Sequence, residues 1–309
     1  MQSQPTTRRH FLRTSAALAG SLFIGSSSAW SAGPAKQTAV DQVTLGKTGI
    51  KLSRLGFGAG SHGGSVQRNL GQTEFTRLIR YAYDQGITYI DTAQNYQTHG
   101  MVKKAIEGIP REKLFIQTKM PGTPEKPLEV LDRYRREVGV DYFDSLLVHC
   151  TVTPNWDEQR KRLLDAFEEA KDKQIIRSHG VSCHSLPALK RAVALDWVDV
   201  HLVRVNPQGA WVDTPEPTWN AKSNAAHVGP VMEQLERMHR KQRGIIGMKL
   251  IGNGEFVDAQ QREKAMRFAM HCGYLSAAVI GFKSTAEIDE AIERMNRALA
   301  EMPEKTAVA

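Results

Sequence analysis

The sequence predicts an α/β fold, a TIM (β/α)8 barrel with an N-terminal β-hairpin. Three observations carry this expectation. Eight short apolar segments that look like buried strands alternate with eight segments of helical periodicity. The alternation fills about 250 residues, the length such a barrel uses. Several strands run straight into a polar residue, as in Ile87-Thr88-Tyr89-Ile90-Asp91, Leu114-Phe115-Ile116-Gln117-Thr118-Lys119 and Ser145-Leu146-Leu147-Val148-His149. In a parallel barrel all strand C-terminal ends open onto one face, so those residues can meet there.

The first 32 residues are set aside from the fold. Thr6-Thr7-Arg8-Arg9-His10-Phe11-Leu12-Arg13 precedes a small and apolar stretch from Thr14 to Ile24, then Ser26-Ser27-Ser28-Ala29. Paired arginines ahead of a moderately apolar segment resemble a twin-arginine secretion signal. A disordered basic tail or an anchoring segment is the competing reading. The apolar run is short and broken by serine and glycine, whereas a membrane-spanning helix takes roughly 20 apolar residues. Cleavage is expected after Ala29 or Ala32, with Trp30 weakening the later site. Such a signal implies a bacterial protein that is folded and then exported, to the periplasm or otherwise out of the cytoplasm, by the twin-arginine machinery. Residues 33–309 then form a single domain, since no polar linker divides them and no other segment suits a membrane.

Gln42 to Lys51 alternates around Gly46 and Gly49 and is expected to form the hairpin that closes the barrel bottom. Strands are expected at Leu55–Phe57, Thr88–Ile90, Phe115–Thr118, Ser145–Val148, Ile175–Val181, Val200–Val205, Gly244–Met248 and Ala277–Ile280. Helices are expected at Thr73–Gln85, Met101–Glu107, Pro127–Val138, Asp157–Asp172, Leu186–Leu195, Gly229–Arg243, Ala259–His271 and Thr285–Leu299. A doubly wound open sheet is the alternative, and it wants nucleotide-binding glycines directly between its first strand and first helix. Gly56-Phe57-Gly58-Ala59-Gly60 with Gly63-Gly64 lies there, but without the tight G-x-G-x-x-G turn into a helix or a suitably placed acid. These glycines are better explained as a tight loop beside a ligand.

Composition narrows the function. The chain carries a formal net charge of +8, of which Arg8, Arg9 and Arg13 in the acid-free leader supply +3. The remaining excess is scattered among acids on helices, which is no nucleic-acid footprint but suits an anionic ligand. Cys150, Cys183 and Cys272 are too few for a disulfide scaffold. Cys150 and Cys183 both follow strands, so a bridge or a reactive thiol is conceivable beside the simpler reading of small residues near the mouth. No Cys/His/Asp spacing points to a metal.

Asp91, Tyr96, Lys119 and His149 are therefore the main candidate site. Each has an ordinary structural explanation alone: a helix cap, a loop aromatic, a surface lysine, a satisfied core histidine. Together at successive strand ends, within the phrases Ile90-Asp91-Thr92-Ala93-Gln94-Asn95-Tyr96 and Leu146-Leu147-Val148-His149, they resemble the catalytic tetrad of the aldo-keto reductase superfamily. The resemblance runs from Leu45 through the final helices and includes order, spacing and strand context. It implies a nicotinamide-dependent barrel that reduces aldehydes or ketones, or runs in reverse. Tyr96 is then the general acid, with Lys119 lowering its pKa from the usual value of about 10. Asp91 holds and charge-balances Lys119, and His149 orients the carbonyl oxygen with its tautomer set by an outer partner.

The resemblance also implies cofactor contacts. Ser182 and Cys183 stand where the family commonly places a Ser-Asn pair on the carboxamide. Leu202 and Val205 replace a frequent glutamine and aromatic, leaving Asn206 or Met248 as substitutes. Lys283 and Ser284, ahead of the last helix, suit phosphate. Glu287 occupies a position where a basic residue often recognises the extra phosphate of NADP. An acid repels that phosphate but can accept from free ribose hydroxyls, so the cofactor is NADP or NAD. Asn206 to His227, with Trp211 and Trp219, suggests a loop over the site, while its indoles equally suit anchoring; Trp156 and Phe57 are candidates for the same mouth. A small carbonyl or alcohol substrate and a monomeric chain are expected. The competing function is a noncatalytic exported binding or sensor subunit on the same barrel.

Overall fold

The computed structural model describes residues 36–302, so the expected leader lies outside the described residues. Strands run at β1 Gln42–Thr44, β2 Lys51–Ser53, β3 Leu55–Gly58, β4 Tyr89–Asp91, β5 Phe115–Met120, β6 Ser145–Thr151, β7 His179–Cys183, β8 Val200–Arg204, β9 Gly244–Met248 and β10 Ala277–Ile280. Helices run at α1 Ser65–Asn69, α2 Gly71–Asp84, α3 His99–Ile106, α4 Pro127–Val138, α5 Trp156–Gln159, α6 Lys161–Asp172, α7 Leu186–Ala194, α8 Val228–Arg240, α9 Ala259–His271 and α10 Thr285–Ala300. β3 to β10 close into one barrel in the order β10-β3-β4-β5-β6-β7-β8-β9, and β1 and β2 form a separate antiparallel hairpin. Among the described residues no helix is long and apolar enough to cross a membrane.

Strand parity divides the core in two. Tyr89, Phe115, Leu147, Val200, Leu202, Ile246, Ala277 and Val279 point into the barrel, where Leu45, Ile50 and Leu52 of the hairpin join them. Their neighbours Ile90, Ile116, Leu146, Val148, Val181, Val203 and Ile245 point outward to the helices. The hairpin plugs the N-terminal end, because Leu45 lies against Gly244, the first residue of β9. Filling that end with apolar side chains leaves the strand C-termini as the open, polar end.

The helices start and stop where their chemistry dictates. Pro127 begins α4, whose end is closed by Gly139 at φ 73°, and the Ser185, Asp258 and Ser284 side chains accept from the first turns of α7, α9 and α10. Two expected elements differ by more than the position of an end residue or a turn. β7 begins at His179 rather than Ile175, because the backbone N–H groups of Ile175 and Ile176 both donate to the Ala170 carbonyl and complete the exit from α6. The helix expected over Asp157–Asp172 breaks at Arg160, at φ −117° and ψ 21°.

Candidate active site

Inward parity places Asp91 at the top of β4 and Gln117 and Lys119 on one face of β5. Lys119 Nζ donates to both Asp91 carboxylate oxygens at 2.7 Å and to the Thr92 carbonyl at 2.9 Å. Lys119 is fully buried. Burial opposes its charge, but the Asp91 carboxylate outweighs that and raises the pKa, so the ammonium persists. Gln117 Nε2 donates to Asp91 Oδ1 at 2.8 Å and to the Tyr89 hydroxyl at 2.9 Å. Asp91 is thus gripped from two positions of the neighbouring strand.

Tyr96 ends a single 3-10 turn, Gln94–Tyr96, that follows β4. The turn is held by Arg68 on the Tyr96 carbonyl, by Tyr134 on the Gln94 side chain, and by Thr92 and Thr98 sharing a hydrogen bond of 2.9 Å. The Tyr96 ring centroid lies 4.8 Å from Lys119 Nζ and 5.6 Å from the His149 ring, which meets it edge-on at 88°. The phenol's pKa is raised above its ordinary value, opposite to the direction expected for it. Burial is the largest influence; Lys119 pulls the value down without overcoming it, and Asp91 pushes it further up.

His149 stands on β6 immediately before a bulge. Pairing with β7 shifts register between Val148 and Thr151, and Cys150 there takes φ 55°. Burial, then the Lys119 and Arg160 cations, push the His149 pKa down to about 3, so the ring is neutral. The expected outer partner is absent: Nδ1 is buried with no hydrogen-bond partner among the described residues, and Arg160 instead donates to the His149 backbone carbonyl at 3.0 Å.

Asp91, Tyr96 and His149 line one cavity of about 990 Å³. It runs from the barrel mouth past Met248 and the Gly252–Gly254 loop to Lys283, Glu287 and Arg294 at α10. Its size suits a dinucleotide with a small second ligand. Of the expected cofactor contacts, Met248, Lys283 and Glu287 line it. Glu287 accepts from the Lys283 backbone N–H at 2.9 Å, while Ser284 is spent as the cap of α10.

Ser284 is off the cavity wall, and so are three others. Cys183 has outward parity and sits buried in the helix layer, accepting from the Thr151 hydroxyl at 3.4 Å. Ser182 has inward parity, but its hydroxyl meets His184 Nε2 at 3.2 Å. Asn206 clamps its own loop, donating to the Ala210 and Lys249 carbonyls at 2.7 and 3.1 Å and accepting from the Ala210 N–H at 3.0 Å. Cys150 and Cys183 are both free thiols, and burial raises the pKa of each. Trp156 and Phe57 belong to the core rather than to the mouth, whereas Trp211 and Trp219 do line it.

Several cavity residues escaped the sequence reading. His184 and Arg204 are among them and line the reaction end beside Lys249, the residue that follows β9. Arg204 is buried against buried Asp213 at 2.7 Å, and also donates to the carbonyls of Trp219 and His184. Arg204 had a signal in its parity, two residues beyond Leu202 on the inward face. Asp213, brought to it from a loop, had none. Tyr89 and His99 also lie close by, but off the cavity. Tyr89 bonds Gln117, and His99 bonds Glu137 at 2.8 Å and Thr118 at 2.9 Å.

Residues 54–305 match the model of the aldo/keto reductase family. The chain is 30% identical over 175 residues to a probable aldo-keto reductase of Glycine max, covering 52% of this chain and 49% of the relative. It is 31% identical over 121 residues to a methylglyoxal reductase of Escherichia coli O157:H7, covering 38% of this chain and 45% of the relative. These matches span about half the length of each relative. Among solved structures, an aldo-keto reductase of Bacillus halodurans in its holo form superposes with a TM-score of 0.66 at 17% identity, covering 86% of this chain and 99% of that one. One from Klebsiella pneumoniae, in complex with NADP and acetate, does so with a TM-score of 0.59 at 17% identity, covering 86% and 92%. With the family match extending over nearly all of the barrel, the chain belongs to the aldo/keto reductase family.

Proposed function

We propose that this chain is an NAD(P)-dependent oxidoreductase that interconverts a small aldehyde or ketone and its alcohol, with Tyr96 as the proton donor. The observation that carries this is the meeting of Tyr96, His149 and the Asp91–Lys119 pair at the inner end of a cavity that extends to the N-terminus of α10. A nicotinamide dinucleotide, when bound, supplies or takes the hydride. Met248, Lys283 and Glu287, which line the cavity, would hold it together with the first N–H groups of α10, since a helix N-terminus favours phosphate. Glu287 favours free ribose hydroxyls, and Lys283 favours a phosphate, which leaves NAD and NADP both in play.

The chain's own chemistry is proton transfer and its control. At its raised pKa the Tyr96 phenol is protonated at neutral pH, the form a proton donor needs. As the phenol gives its proton to the carbonyl oxygen, the growing phenolate is stabilised by the Lys119 ammonium nearby. Asp91 keeps that ammonium charged and in place. His149, being neutral, acts by hydrogen bonding: a proton on Nε2 avoids burying an unpaired N–H at Nδ1 and leaves a donor for the substrate oxygen. In the reverse direction the Tyr96 phenolate accepts the proton.

The test is nicotinamide absorbance change with a panel of aldehydes, ketones and alcohols. Tyr96→Phe is expected to lower kcat by about 10²-fold or more, the usual reach of general acid catalysis, while dinucleotide binding persists. The second reading, a noncatalytic binding subunit, draws support from Ser182, Cys183 and Asn206, whose polar atoms are engaged within the protein. It predicts ligand binding with no turnover in either direction. Export is part of the same reading and rests on Arg8 and Arg9 ahead of the apolar stretch. Fractionation of the native host and N-terminal sequencing of the mature chain test it.

A further inference from the structure

Three cations stand at the reaction end of the cavity, and two have acids. Lys119 is joined to Asp91, and Arg204 to Asp213, each at 2.7 Å. The third, Lys249, follows directly on β9 and has no carboxylate partner among the described residues. Its ammonium donates to Asn253 Oδ1 at 2.6 Å and lies 5.9 Å from the Trp211 ring centroid. The acid that follows that loop, Glu255, accepts from the Trp211 indole N–H at 2.6 Å.

Lys249 is also held in an unfavourable backbone conformation. Its φ is 59°, a left-handed value that a side-chain-bearing residue adopts at a cost. Its carbonyl is fixed there by the Asn206 side chain at 3.1 Å and the Gly252 N–H at 3.0 Å. That geometry turns the side chain along the cavity wall between the barrel mouth and the Gly252–Gly254 loop. Burial, followed by repulsion from Arg204 and Lys119, pulls its pKa down to about 8, so a negative charge placed beside it would be doubly welcome.

We propose that Lys249 is an anion-binding residue of the cavity, taking a carboxylate or phosphate oxygen of the bound ligand in place of the acid its position lacks. This rests on the oxidoreductase reading and deepens it. Two sources share the chemistry: a carboxylate carried by the carbonyl substrate, or a phosphate of the dinucleotide. An ammonium–anion contact in such surroundings is a charge-assisted hydrogen bond, stronger than a neutral one.

The experiment uses the purified chain, Lys249→Met and Lys249→Arg, with thermal unfolding to establish that each variant is folded. Titrations of NADH and NADPH, followed by quenching of intrinsic fluorescence, form one arm. The kcat/KM ratio for a carboxybenzaldehyde over its methyl ester forms the other. A phosphate role predicts that Lys249→Met raises the dinucleotide Kd by about 10-fold to 100-fold, the scale of a lost hydrogen bond to a charged group. A substrate role predicts a fall of that size in the acid-over-ester ratio. In either case Lys249→Arg recovers much of the loss, because it keeps the charge. Folded Lys249→Met with wild-type values in both arms overturns the proposal. A wild-type chain that binds neither dinucleotide and reduces neither aldehyde overturns the oxidoreductase reading, and the role of Lys249 with it.

Discussion

Tyr96 lies directly on the backbone of Gly60: a Cβ at residue 60 would stand 2.2 Å from Cε2 and 2.4 Å from Cζ of the ring. Gly60 therefore makes room for the phenol, a more particular role than loop flexibility. Gly60→Ala is expected to displace the ring from Lys119 and His149. Misplacement of a reacting group by about 1 Å can cost on the order of 10²-fold in rate. A kcat equal to wild type in folded Gly60→Ala would show that this contact does not place the phenol.

Asp91→Asn leaves the buried Lys119 ammonium without its counter-charge. Breaking a buried pair from one side costs about 3–5 kcal/mol. Urea unfolding should show a loss of that order, together with a large fall in kcat. Asp91→Asn combined with Lys119→Met should regain much of the stability and none of the activity, which separates the pair's structural and chemical roles.

Gln117 spends both amide hydrogens on Tyr89 and Asp91. Replacing it by Met strips a donor from two buried oxygens, at a cost of about 1–3 kcal/mol. As a positioning residue it should also shift the pH dependence of kcat, since the Asp91 carboxylate, which raises the pKa of both Lys119 and Tyr96, loses one of the bonds that fix it in place. An unaltered pH profile alongside reduced stability would assign Gln117 to structure alone.

Arg204 ties β8 to the 206–227 loop through Asp213 and Trp219. Burial raises the Asp213 pKa to about 6 even though Arg204 lowers it, so the acid depends on its partner. Arg204→Met should destabilise by about 3–5 kcal/mol and loosen the loop. Asp213→Leu in the same chain should restore much of that stability. Limited proteolysis within 206–227 is the direct measure.

Stability should fall steeply with acid. His149 and His201 have pKa values pushed down to about 3 by burial, His201 with both ring nitrogens unpartnered among the described residues. Their ordinary value is about 6.5, so below that pH the unfolded chain takes up protons that the folded chain refuses. Stability is therefore intact above about pH 6.5 and declines as pH falls toward 3, these two groups together contributing roughly 3 kcal/mol per pH unit at most. Denaturant titrations at stepped pH test the slope, and His201→Leu should flatten it.

Much of the molecule can be read from residue order. Apolar strands alternating with amphipathic helices specify the barrel, because buried parallel strands need apolar residues on both faces. The strand ends at Asp91, Lys119 and His149 likewise announce an open polar face. Hydrogen bonds decided the errors of register: Ile175 and Ile176 look like strand but serve the exit of α6. Strand parity separated Ser182 from Cys183, a distinction that adjacency in sequence conceals.

What the sequence by itself determined is the architecture and the polar residues that stand at its strand ends, since periodicity and strand-end chemistry are local properties of the chain. Only the tertiary structure decided how those groups behave. It set the raised Tyr96 pKa, the unpartnered His149 Nδ1, the Arg204–Asp213 pair and the uncompensated Lys249 charge. Each depends on burial and on which groups the fold brings close or keeps away, and electrostatic energy is governed by those distances and surroundings rather than by sequence spacing.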